Sequence, residues 1–198
     1  MKYNVAKEYI LERLRKDLPK TRTYHCFEHT MDVYSASIDI AELEGVEGED
    51  LELLKLAALY HDCGFLVQDS EHEVAGCKIA SEKLKELGYS SGAIERVCSM
   101  IMSTKIPQSP NNLLEKILCD ADLDYLGRGD FFLIGDSLFE ELKTFGILDS
   151  FDAWNELQVS FLGSHSYCTE TNRTRRTEKK SENLQRVKDL LDNKKARS

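Results

Sequence analysis

Apolar positions recur at three- and four-residue steps along most of the chain, the pattern of helices that bury one face. Tyr3, Ala6, Tyr9, Ile10 and Leu14 form the first such stripe, and Pro19 follows to stop it. Met31, Val33, Tyr34, Ile38 and Leu43 repeat the pattern over about 28–44, until Gly45 and Gly48 interrupt it. Residues 51–60 are apolar on nearly every side, which predicts a central, buried helix, with Gly64 placed where a helix C-terminal glycine belongs. Further helices are predicted over 71–87, ended by Gly88; over 92–105, capped by Ser91 and stopped before Pro107; and over 112–126. A loop at Gly127-Arg128-Gly129 leads to helices over 131–143 and 150–162 and a charged helix over 178–191. No stretch alternates as a strand does and no internal repeat is present, so the expected fold is all-α, a single-domain helical bundle.

The 198 residues are 41% hydrophobic and 31% charged, a composition that folds rather than stays disordered. The formal charge is −9, yet residues 172–198 hold ten Lys/Arg against four Asp/Glu, a local +6. An acidic body suits a long polyanion poorly, so long nucleic acid is not an expected partner. No run approaches about 18 consecutive apolar residues, and the first residues lack the apolar block of a signal peptide; neither a membrane span nor secretion is expected. The six cysteines, at 26, 63, 77, 98, 119 and 168, make no CxxC pair and fit neither a zinc ribbon nor a disulfide scaffold. Free thiols in a reducing compartment, the cytoplasm, are the ordinary account.

The histidines and acids change the picture. His25 and His29 stand in Tyr24-His25-Cys26-Phe27-Glu28-His29-Thr30, and a helix there would put both imidazoles on one face. His61-Asp62 closes the most apolar helix, where a charged carboxylate is costly unless a metal or a partner compensates it. Asp120, Asp122 and Asp124 follow the apolar run 113–119 and raise the same question, although such acids are more often a solvated helix face. His165 reads as a packed histidine. Each feature alone proves little.

Their order resembles the HD superfamily of metal-dependent phosphohydrolases, which places His, then His-Asp, then Asp on a bundle of helices. Here the motif reads His29, then Leu59-Tyr60-His61-Asp62-Cys63-Gly64, then Ala121-Asp122-Leu123. The Tyr-His-x-x-x-His opening, Glu71-His72-Glu73 and Phe161-Leu162-Gly163-Ser164-His165-Ser166-Tyr167 are similar to a small stand-alone subgroup, so the resemblance runs over about 24–177. It implies a bundle of the HD-domain, phosphodiesterase-like type over 1–171, with its core over about 24–145. Residues 172–198 would be a basic helix or tail packed on that domain or trailing it. It also implies that His29, His61, Asp62 and Asp122 hold one divalent ion, with Asp120 the rival for the last position.

Two imidazoles and two carboxylates make a mixed nitrogen and oxygen donor set, suited to Mn, Fe, Co, Ni, Zn or Mg. The implied function is hydrolysis of a phosphate ester of a small molecule, with a nucleotide among the candidates, by metal-activated water. Asp62, as base, and His25 and Lys105 are the expected catalytic residues; Lys105, Arg128 and His72 are expected to bind substrate. Lys105 stands where dinuclear relatives often carry a further histidine, which favours one ion. Arg173, Arg175 and Arg176 are candidate phosphate clamps too, although solvated charge is their preferred reading. The alternatives are a non-catalytic module that binds a nucleotide or partner and, further off, a di-iron oxygenase; a homodimer is an open option. No phosphate loop of the GxxxxGKS/T or GxGxxG kind is present, so the substrate is not specified by a loop motif.

Overall fold

The apolar run that leads into His61 is the centre around which the first half of the chain packs. A computed structural model describes residues 1–195, and the chain divides into two compact units, Met1–Asp122 and residues 123 onward. The first unit contains α1 (Lys2–Asp17), α2 (Phe27–Leu43), α3 (Gly48–Tyr60), α4 (His72–Glu86), α5 (Ser91–Ser103) and α6 (Leu113–Asp122), with a 3-10 turn at Cys63–Leu66 between α3 and α4. Leu53, Leu54, Leu56, Ala57, Ala58, Leu59 and Tyr60 are each at most 1% exposed, because α3 is surrounded by α1, α2, α5 and α6. Truncating one of those leucines to alanine should cost about 2–5 kcal/mol. The Tyr60 hydroxyl donates to the Ala6 carbonyl oxygen at 2.9 Å, which ties α3 to α1. α1 buries Ala6, Ile10, Leu11 and Leu14 and ends at Leu18, whose extended φ of −68° and ψ of 132° is what the residue before a proline adopts.

The helix caps refine the sequence reading. Ser90, not Ser91, caps α5; its hydroxyl accepts the Ala93 N–H at 3.2 Å, so the helix starts earlier than its apolar stripe indicates. At α6, Asn112 Oδ1 accepts the Glu115 N–H at 3.1 Å while Glu115 Oε2 reaches back to the Asn111 N–H at 2.6 Å. Gly64 is not a left-handed helix terminus. It lies in the 3-10 turn with ordinary φ, and a Cβ there would sit 1.8 Å from the His72 carbonyl oxygen. Its smallness lets the turn close against the start of α4.

The single helix expected over 112–126 is broken: α6 stops at Asp122, and a 3-10 turn at Asp124–Gly127 opens the second unit. That unit continues with α7 (Phe131–Thr144), α8 (Phe151–Ser164) and α9 (Glu170–Lys195). Its apolar interior includes Phe131, Phe139, Trp154, Leu162, Tyr167 and Val187. α9 begins at Glu170 rather than near 178, because its first turns are anchored by polar bonds. Asn172 Nδ2 donates to Asp124 Oδ1 at 3.1 Å, and Asn183 Nδ2 donates to the Leu126 and Arg128 carbonyl oxygens at 3.0 Å. The boundary drawn at 171/172 from the sequence therefore falls inside α9, and positions 196–198 of that tail lie outside the described residues. Among the described residues there are nine α-helices and no strand, an all-α fold, and no helix is long and apolar enough to cross a membrane.

Candidate metal centre

Three places in the first unit converge on one point: the start of α2, the end of α3 and the end of α6. His29 lies in the first turn of α2, and its Nε2 stands 3.2 Å from Asp122 Oδ1 at the last residue of α6. His61 follows α3 in helical conformation, and Asp62 then leaves the helix with φ −104° and ψ 4°. That departure turns Asp62 Oδ2 to within 3.2 Å of His61 Nε2 and 3.4 Å of His29 Nε2. The two imidazole nitrogens are themselves 3.3 Å apart, and His61 Nε2 is 3.6 Å from Asp122 Oδ1. His29, His61 and Asp122 thus offer donor atoms that all lie within 4.8 Å of one another, with Asp62 against both histidines.

Electrostatics give this cluster one clear need, a positive charge at its centre. Burial disfavours the His61 imidazolium, but Asp62 and Asp122 outweigh it and hold the ring's pKa well above the usual 6.5. Burial likewise raises the carboxyls, yet His61, His72 and His25 carry Asp62 well below 3.8, and bonds from His29 and His61 bring Asp122 down to about 2. His61 Nδ1 lies 2.9 Å from the Ala58 carbonyl oxygen, which can only accept, so Nδ1 carries the proton and a neutral ring turns its Nε2 lone pair to the cluster. With that ring neutral, Asp62 Oδ2 is buried with no hydrogen-bond donor. A buried charged oxygen without a donor is expensive, and a divalent cation between it and the two lone pairs would satisfy all three at once. The donor set fits a metal ion.

His72, first residue of α4, stands beside this cluster. Its Nε2 is 3.4 Å from Asp62 Oδ1, the carboxylate oxygen turned away from His61, and 3.5 Å from Glu73 Oε1. Phe65 stacks on His72 with ring centroids 3.9 Å apart and also meets His25 at 4.6 Å. The Arg22 guanidinium lies 4.1 Å over Phe65 and pairs with Asp69. Glu71, immediately before His72, has the left-handed φ of 54°, a strained conformation for a residue with a side chain. His25 precedes α2 rather than riding on it, so it does not share a helix face with His29; the two rings stand 86° to each other with centroids 6.1 Å apart. Phe65 completes this group without having been assigned a role from sequence, while Glu73, which the sequence places with His72 after the His-Asp helix, joins it through His72. Phe65 follows His-Asp-x-Gly directly and Glu73 adjoins His72, so proximity to the motif was the available signal.

The remaining candidates have carboxylate partners. Lys105 Nζ is 2.7 Å from Glu71 Oε1 at an exposed position. Arg128, in the second unit, binds Asp130 through Nε at 3.0 Å and Nη2 at 2.8 Å, with Asp124 3.7 Å from its Nη1. Among the three acids near the end of α6, Asp122 supplies the carboxylate of the cluster and Asp120 is fully buried in α6. Asp124 is gripped by Arg176 through two 2.8 Å bonds in the second unit.

The family model of the HD domain matches residues 26–124, half of the chain. The chain belongs to the HD domain family. The matched stretch holds all four residues of the cluster and places this HD chain in a superfamily of metal-dependent hydrolases. Its fold is similar to that in the crystal structure of a predicted HD superfamily hydrolase from an uncultured Thermotogales bacterium. The TM-score is 0.60, at 22% identity over 96% of this chain and 91% of that one. No curated protein matches the HD chain in sequence.

Proposed function

We propose that this HD chain is a metal-dependent phosphohydrolase that cleaves a phosphate ester of a small molecule, with a nucleotide among the candidates. The observation that carries the reading is Asp62 Oδ2, buried without a hydrogen-bond donor between the Nε2 atoms of His29 and His61. His29, His61, Asp62 and Asp122 would hold one divalent ion of the Mn, Fe, Co, Ni, Mg or Zn group. Such an ion, when bound, acidifies water and polarises a phosphoryl oxygen.

The chain's own residues divide the other tasks. Asp62 commits Oδ2 to the ligand set and keeps Oδ1 beside His72, so a proton taken from water at Oδ1 has an imidazole 3.4 Å away to receive it. His72 can then return that proton to the departing ester oxygen. His25, packed against the same Phe65, is a second imidazole for the substrate. Lys105, exposed and paired only with Glu71 in this unit, would bind phosphate by exchanging that carboxylate for it.

The test is turnover of p-nitrophenyl phosphate, bis(p-nitrophenyl) phosphate and a nucleotide panel by manganese-loaded protein. Hydrolysis that disappears in His61→Ala, with helicity retained, supports the reading; full activity in that variant contradicts it. A nucleotide held without turnover would favour a binding module, and two irons with oxygen uptake would favour an oxygenase.

A further inference from the structure

α4 and α5 pack closely against each other, and one contact between them is made by two cysteines. The Cys77 thiol donates to the Cys98 carbonyl oxygen at 3.4 Å, and the Cys98 thiol donates to the Cys77 carbonyl oxygen at 3.6 Å. Each sulfur therefore lies against the other residue's backbone, so the two side chains meet across the α4–α5 contact. Ser81 Oγ is 3.3 Å from Cys98 Sγ. Both cysteines are half-buried, whereas Cys63 and Cys119 are sealed in the interior at 1% and 0% exposure.

We propose that Cys77 and Cys98 are a redox-responsive pair, which a peroxide-class oxidant converts into a disulfide that ties α4 to α5. Hydrogen bonding by the Cys77 thiol and the Ser81 hydroxyl favours the Cys98 thiolate, bringing its pKa down to about 6 against the opposing effect of burial, and a thiolate is the form that reacts. Cys98 sulfur attacks one peroxide oxygen, the O–O bond breaks, and hydroxide leaves to take up the proton that Cys98 gave to solvent, forming water. The Cys98 sulfenic acid is then attacked by Cys77 sulfur; the S–O bond breaks, the S–S bond forms, and the oxygen leaves with the Cys77 proton as a second water. Two thiols are oxidised and one peroxide is reduced. Disulfides of this reversible kind are the sort found in reducing compartments. The linkage would tether the helix that starts at His72.

Peptide mapping of the full chain under non-reducing conditions, after treatment with hydrogen peroxide, tests this directly. The expected result is a cross-linked Cys77–Cys98 peptide that is lost on adding dithiothreitol. Cys77→Ser should abolish the cross-link and leave a dimedone-trappable sulfenic acid at Cys98; Cys98→Ser should abolish both. Oxidation that gives no Cys77–Cys98 peptide in the wild-type chain while Cys26 or Cys168 reacts would overturn the proposal, whatever the variants do.

Discussion

Gly64 and His72 meet backbone to backbone: a Cβ on Gly64 would lie 1.8 Å from the His72 carbonyl oxygen and 2.9 Å from Gly76 N. Neither atom belongs to a flexible side chain, so neither can step aside cheaply. Gly64→Ala should therefore destabilise the fold by about 3 kcal/mol or push α4 away from the 3-10 turn. A lowered unfolding midpoint in urea checks this, and an unchanged midpoint with unchanged activity would contradict it.

His72 Nε2 touches Asp62 Oδ1, while Asp62 Oδ2 is the oxygen turned to His29 and His61. His72→Ala should leave metal content per chain unchanged while lowering turnover by about 100-fold or more, the usual worth of a proton-transferring group. Parallel metal analysis and steady-state kinetics separate the two effects. Loss of the ion in this variant would instead make His72 a ligand.

The stability of metal-free protein should depend on pH in a way that metal removes. Asp62 and Asp122 have folded pKa values below 3.8, so their contribution is present above that value and is lost as pH falls, toward about 2 for Asp122. His61 is raised above 6.5, so its contribution is full below 6.5 and is lost as pH rises through the folded value. In acid, a proton on His61 supplies the positive charge that the two carboxylates need. In base, only an ion can supply it. The gain in Tm on adding manganese to chelator-treated protein should therefore grow as pH increases above about 6.5. A gain that is constant or shrinks with pH would contradict this.

Asp124 is 2% exposed, and Arg176 is the guanidinium that grips it through two bonds. Arg176→Ala removes that bidentate partner and leaves Asp124 to Asn172 and Arg128, which should cost about 1.5–3 kcal/mol. Metal content should not change, because Asp124 is not in the donor cluster. Chemical unfolding together with metal analysis of Arg176→Ala checks both halves of the prediction.

How legible these features were in the sequence follows from what held each one together. Helices with one apolar face, such as α1, could be read from periodicity because burial itself is periodic, and α3 from an apolar run that leaves it little polar face. The start of α9 could not, since Asn172, Arg176 and Asn183 bind through polar atoms and leave no apolar stripe. The break after Asp122 was hidden for a related reason: Leu123 and Leu126 continue the apolar pattern while the backbone changes to a 3-10 turn. At the centre, motif order brought His29, His61, Asp62 and Asp122 to attention. The stacking of Phe65 on His72, the hydrogen bond from His61 to Ala58 and the thiol pair on α4 and α5 depend on three-dimensional approach that residue spacing does not encode.

Metal content per chain, measured by mass spectrometry on freshly purified protein with Asp62→Ala alongside, tests the central claim most directly. About one divalent ion in the wild-type chain, lost in the variant, is the predicted result. No bound ion even after loading with manganese, or an equal content in Asp62→Ala, would contradict the account.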